Sequence, residues 1–143
     1  MIDITEEVKI IKQHLKLISK LEKEFGVVPN NAENDDPTLY IGVASTGLLS
    51  RLTPEVEKVF GEPYKKAGDS AFWMNLFDSF VKSVGGVRND QTLYKKKIAE
   101  SVFLYCAFWP WSIETVKTSV RIGLICETRE LDELYSTDLK GYF

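Results

Sequence analysis

Apolar residues Val8, Ile11, Leu15, Ile18 and Phe25 recur at steps of three and four near the start of the chain, with Ile10, Leu17 and Leu21 widening the stripe. This spacing predicts an amphipathic helix. Asp3 or Thr5 can cap its beginning, acids occupy the first turn, and Gly26 offers a left-handed stop. The polar segment GVVPNNAENDDP that follows is a long connection with the composition of a loop or lid. Asp36-Pro37 then has the form of a cap and first helical residue, which predicts a helix through TLYIGVASTGLLSRL. Gly42, Gly47 and the β-branched residues oppose it, with a strand over Leu39–Val43 as the alternative. Thr53-Pro54-Glu55 repeats the cap-proline-acid signal for a short helix ending at Phe60 and Gly61.

Phe72, Trp73, Leu76, Phe77, Phe80, Val81 and Val84 again follow helical periodicity, and Gly85-Gly86 ends the segment. Asp90 can cap a further helix that runs to Trp109 before Pro110. Its second half lies in the run VFLYCAFWPW, Val102–Trp111, where five of ten residues are aromatic and none is charged. A segment apolar on every side reads as a central helix surrounded by others. Ser112 can cap the last helical stretch, whose stripe is Ile113, Val116, Val120, Leu124, Leu131 and Leu134, with Thr128–Glu130 as a break. The fold expected is therefore all-α, one domain over residues 1–143 built as a bundle of five to seven helices.

Composition narrows the function classes. A chain of 143 residues is the size of one domain, and 44% hydrophobic with 27% charged residues places it among globular rather than disordered chains. The net charge of −3 supplies no basic field, which disfavours nucleic acid as a partner. The acids Asp3, Glu6 and Glu7 are the opposite of a secretory leader, and no uncharged stretch reaches the ~18 residues of a membrane span, so a cytoplasmic location is expected. Cys106 and Cys126 lack metal or redox spacing and read as buried thiols rather than a disulfide.

The chemistry of the residues is mostly excluded rather than assigned. His14 is the only histidine, which removes the usual parts of His-based metal sites, haem ligation and Ser-His or Cys-His catalysis, so no metal, cofactor or catalytic residue is expected. The Gly42–Gly47 segment lacks the lysine-hydroxyl ending of a phosphate loop and reads as a place of close packing. Lys95, Lys96 and Lys97, with Arg88 and Tyr94 nearby, could hold an anion but read first as a solvated patch. Nine of 17 aromatics, including all three tryptophans, fall within Phe72–Phe80 and Phe103–Trp111, enough to fill a core and leave a surplus.

That surplus favours a non-enzymatic helical module that associates with itself or with another protein. Trp109, Trp111, Tyr142 and Phe143 are its candidate interface residues. The alternative is a sensor for an apolar or acyl small molecule held in an aromatic-lined pocket by Trp73, Phe77, Phe103, Tyr105 and Trp109, with Arg121 on the anionic head. An enzyme of unknown reaction ranks last, since no carboxylate, tyrosine or cysteine pair has a diagnostic spacing.

Overall fold

The computed structural model describes residues 2–30 and 34–143. Its element order is α1 (Thr5–Phe25), β1 (Val28–Pro29), β2 (Leu39–Ser45), a 3-10 turn (Thr46–Leu48), α2 (Leu49–Phe60), α3 (Phe72–Phe77), α4 (Ser79–Ser83), β3 (Thr92–Ala99), β4 (Val102–Pro110), β5 (Lys117–Cys126) and α5 (Arg129–Asp138). The strands form one antiparallel sheet in the order β1-β2-β5-β4-β3. The expected all-α bundle is thus incorrect: the chain is an α+β protein. The helix foreseen over 37–52 is a strand over Leu39–Ser45, in line with the alternative strand at Leu39–Val43, and is helical only from Thr46; the helix foreseen over 90–109 is the β3-β4 hairpin, and β5 from Lys117 replaces the first part of the one foreseen over 112–134.

The central strand explains the largest error. β4 carries VFLYCAFWP and lies between β3 and β5, with one face on the main core and the other on a second, smaller core. A strand covered on both faces loses the apolar-polar alternation of a half-exposed one, so its sequence resembles that of a buried helix. The lysine triplet, by contrast, alternates as an edge strand should. Lys96 Nζ reaches the Val59 carbonyl at 3.2 Å, whereas Lys95 Nζ sits over the rings of Tyr64, Phe80 and Phe103 on the opposite face. Lys97 pairs with Glu100 at 2.7 Å, beside the Glu100-Ser101 hairpin turn, where Ser101 takes a positive φ of 65°.

α1, α2 and α5 cover one face of the sheet. Ile11 and Leu21 of α1, Leu52 and Val56 of α2, and Leu104 and Val120 of the sheet are fully enclosed there. Two tyrosines tie this layer down: Tyr40 donates to Glu22 at 2.8 Å and Tyr94 donates to Glu57 at 2.9 Å. α1 matches its expected span and ends at Gly26 in the left-handed conformation, φ 73°. At its start Asp3 accepts from the Thr5 amide at 3.0 Å and from the Thr5 hydroxyl at 2.6 Å. α2 begins before the expected cap, so Pro54 is inside it and the Ser50 carbonyl loses its usual amide donor. Gly42 reflects packing: a Cβ there would lie 2.5 Å from Val27 and 2.8 Å from the Tyr40 hydroxyl. The expected lid over residues 26–37 lies partly outside the described residues.

Candidate functional site

The stretch between α2 and β3 crosses the second face of the sheet, and buried polar groups fix its path. Lys65, only 3% exposed, donates its ammonium to the carbonyls of Arg88 (3.0 Å), Gln91 (2.8 Å) and Asn89. Burial pulls this ammonium below its ordinary pKa, while Asp69 and Asp90 act in the opposite sense. Outside the edge of β3, the Leu93 amide bonds to the Lys65 carbonyl at 2.9 Å, and the Leu93 carbonyl accepts from Tyr64 and Lys65. The Asn89 side chain accepts from the Ala71 amide at 2.8 Å, and Asn75 both accepts from the Val87 amide (2.8 Å) and donates to its carbonyl (2.7 Å). Asp78 caps α4 through the Val81 amide at 3.1 Å and accepts from the Tyr64 hydroxyl. That hydrogen bond, with burial, pushes Tyr64 up to about 12.

These pins hold α3 as a short platform whose outer side is almost wholly apolar. Phe72, Trp73, Leu76 and Phe77 are 60, 67, 46 and 74% exposed. Trp73 stacks on Phe77 at 5.7 Å with 14° between planes, and Phe72 meets Trp73 edge-on at 5.1 Å. With aromatic side chains of 150–250 Å², the four expose about 500 Å², near the top of the range for the largest apolar patch on a monomer. The inward contacts come instead from Ala71, Met74 and α4, whose Phe80 packs on Phe103 (5.7 Å) and Tyr105 (6.4 Å) of β4.

The structure divides the residues expected to line one aromatic pocket. Phe103, Tyr105, Trp109 and Arg121 share the second sheet face, whereas Trp73 and Phe77 face solvent on α3. Arg121 lies over the Trp109 ring, its guanidinium carbon 4.2 Å from the centroid. Arg121 Nε and Trp109 Nε1 are buried without a hydrogen-bond partner among the described residues. Burial lowers the Arg121 pKa, and Tyr105, itself pushed up to about 12 by burial, partly offsets this.

The four residues expected at an interface are separately placed. Trp109 and Trp111 are half-buried, and Trp111 donates to the Ser119 hydroxyl at 2.9 Å. Tyr142 lies beneath the Lys12 ammonium, and Phe143 packs against the main core. His14 is half-buried on α1, and its Nε2 is enclosed without a partner among the described residues. Both cysteines are free thiols, Cys106 buried and Cys126 half-buried. Among the described residues no group of His, Cys, Asp or Glu is arranged to hold a metal ion, and no helix is long and apolar enough to cross a membrane.

Sequence reasoning missed the pins Lys65 and Asn89, which sit in segments with turn-like composition, the pin Asn75, a polar position within the apolar stripe of α3, and the role of Phe72 and Leu76. The stripe Phe72–Val84 carried the needed signal but is divided in two. Its first half faces outward and only its second half, from Phe80, is core. Fold and site define an α+β protein with an antiparallel sheet and a rigidly mounted aromatic helix. The chain matches no protein-family model, no curated protein and no solved structure.

Proposed function

We propose that this protein is a non-enzymatic association module, and that the outer side of α3 is the surface through which two copies pair. The observation that carries the reading is the exposure of Phe72, Trp73, Leu76 and Phe77 on a helix fixed by Lys65, Asn75, Asn89 and Asp78. A rigid apolar surface loses little conformational entropy on docking, the usual property of an interface centre rich in aromatic residues. The area also fits. Two such patches facing one another bury about 1,000 Å² from these side chains alone, and their polar surroundings bring the total to that of a stable small dimer. An isologous pairing places Trp73 and Phe77 of each copy against the same residues of the other, with no charge in the contact. The free thiols suit a reducing, cytoplasmic setting.

Sedimentation equilibrium between about 1 and 200 µM tests this. Wild-type protein is expected to reach twice its 16.3 kDa chain mass, and Phe77→Lys to remain monomeric with an unchanged far-ultraviolet spectrum. A wild-type monomer across the whole range, or a Phe77→Lys dimer as tight as wild type, overturns the pairing; in the first case the patch serves a different partner.

A further inference from the structure

α4 and the inner side of α3 cover the second sheet face mainly over β3 and β4, through Phe80, Val81 and Val84 on Leu93, Tyr105 and Ala107. The β2-β5 half of this face carries Ile41 and Val43, whose cross-strand partners are Arg121 and Ser119. Beside it, at the β1 end, is an open cavity of about 610 Å³ lined by Val28, Pro29, Val43, Trp111, Val116 and Lys117. Its size is that of a small-molecule site, and its lining is mostly apolar. Val28 and Val116 are 62 and 69% exposed, so the cavity leaves large aliphatic groups in contact with water.

Two cations border this region, and they differ in one respect. Lys117, over the Trp111 ring at 5.3 Å, is matched by Glu114 at 3.2 Å. Arg121 has no ion pair with any described carboxylate, and its buried Nε has no acceptor. The Trp109 ring, 4.2 Å from the guanidinium carbon, restricts where the Arg121 head can lie, and a guanidinium is suited to two-pronged recognition of a carboxylate. Arg121 is two residues along β5 from Ser119, the partner of Val43, or about 7 Å from the cavity wall. We infer that the cavity and Arg121 together form a site for a small aliphatic carboxylate, its chain against Val28, Val43, Trp111 and Val116 and its head on Arg121. The guanidinium, held on Trp109 with no described carboxylate paired to it, explains the charge of the ligand, and the cavity explains its apolar body.

The test uses decanoate below its micelle concentration, with decanol as the uncharged control, followed by amide chemical shifts. Decanoate is expected to bind saturably and to shift residues 28–30, 43–45 and 111–121. Arg121→Gln is expected to weaken decanoate at least tenfold and leave decanol unchanged. Val28→Trp, a substitution at an exposed edge position that fills the cavity, is expected to abolish both. Absence of saturable binding, equal decanoate affinity in Arg121→Gln, or shifts confined to residues 72–77 overturns the assignment. The monomeric Phe77→Lys protein should bind decanoate as wild type does, so this site and the pairing through α3 fail or stand separately.

Discussion

Gly123→Ala tests whether the second core is as tightly set as its geometry indicates. Gly123 lies opposite Tyr105 in the β4-β5 ladder, and the tyrosine ring lies across the glycine. A Cβ at this position would be 2.7 Å from Tyr105 Cε1 and 2.8 Å from both Cζ and the hydroxyl oxygen, closer than side chains tolerate. The ring has little room to retreat, because Tyr105 is 5% exposed and Phe80 meets it edge-on at 6.4 Å. One added methyl group therefore forces displacement of a buried aromatic, which costs about 1–3 kcal/mol. For a chain of this size the corresponding fall in Tm is about 3–10 °C. Urea denaturation of wild type, Gly123→Ala, Tyr105→Leu and the double variant completes a cycle. Leucine removes the atoms in conflict, so the double variant is expected to be more stable than the sum of the single losses by about 1–2 kcal/mol. Additivity to within ~0.5 kcal/mol would refute the assignment of the conflict to Tyr105, and a Gly123→Ala protein as stable as wild type would refute the conflict itself.

Two further outcomes concern polar groups. Partial burial, and then the Lys96 ammonium, hold His14 below its ordinary value of 6.5. As pH falls through 6.5 the unfolded chain takes up this proton before the folded one, so stability present at neutral pH is lost between 6.5 and the lowered folded value. The urea midpoint of wild type should drop more between about pH 7.5 and 5.5 than that of His14→Gln; equal drops would remove His14 as the cause. Asn75→Ala deletes both bonds to the Val87 backbone, and since Asn75 is itself exposed, water can replace the amide, so the expected loss is about 1–2 kcal/mol. Amide exchange across residues 72–77 should accelerate by more than exchange in β4; uniform acceleration would show that Asn75 supports the whole domain rather than the α3 platform.

Some of this molecule is legible in its sequence, and the reasons for the remainder are physical. α1 combines a stripe, terminal acids and Gly26, all local signals, and its expected and observed spans agree. β2 and β5 pair residues about eighty positions apart, and no local pattern encodes that. The run Val102–Pro110 obeys no period because the molecule removes the reason for one, a solvent-facing side. Two local cues did point to a strand. The run VFLYCAFWPW is only ten residues long, and six of them are β-branched or aromatic, which suits a pleated surface better than the crowded turn of a helix. For the candidate site, Trp73, Phe77 and Arg121 were recognisable as chemistry without a place. Which of them faces outward depends on α3 ending at Phe77 and the Asp78 cap starting α4 in a new direction.

The surplus of aromatic residues follows from the same geometry. Five strands at about 4.8 Å spacing make a sheet roughly 24 Å wide, and a helix with its side chains covers about 10 Å. Three helices suffice for the first face, and α1, α2 and α5 supply them. Among the described residues, the helices on the second face are α3 and α4, eleven residues in all, which can shield about two strands. So short a layer needs large side chains to seal its half of the sheet, and Phe80 together with Phe103 and Tyr105 does so. Its other consequences are a β2-β5 strip whose Ile41, Val43 and Arg121 are only half-buried, with Trp109 beside it, and, among the described residues, an α3 with no further layer above it to take Trp73 and Phe77. Both apolar surfaces thus arise from one incomplete layer, and adding an outer partner at α3 does not close the strip beside Arg121.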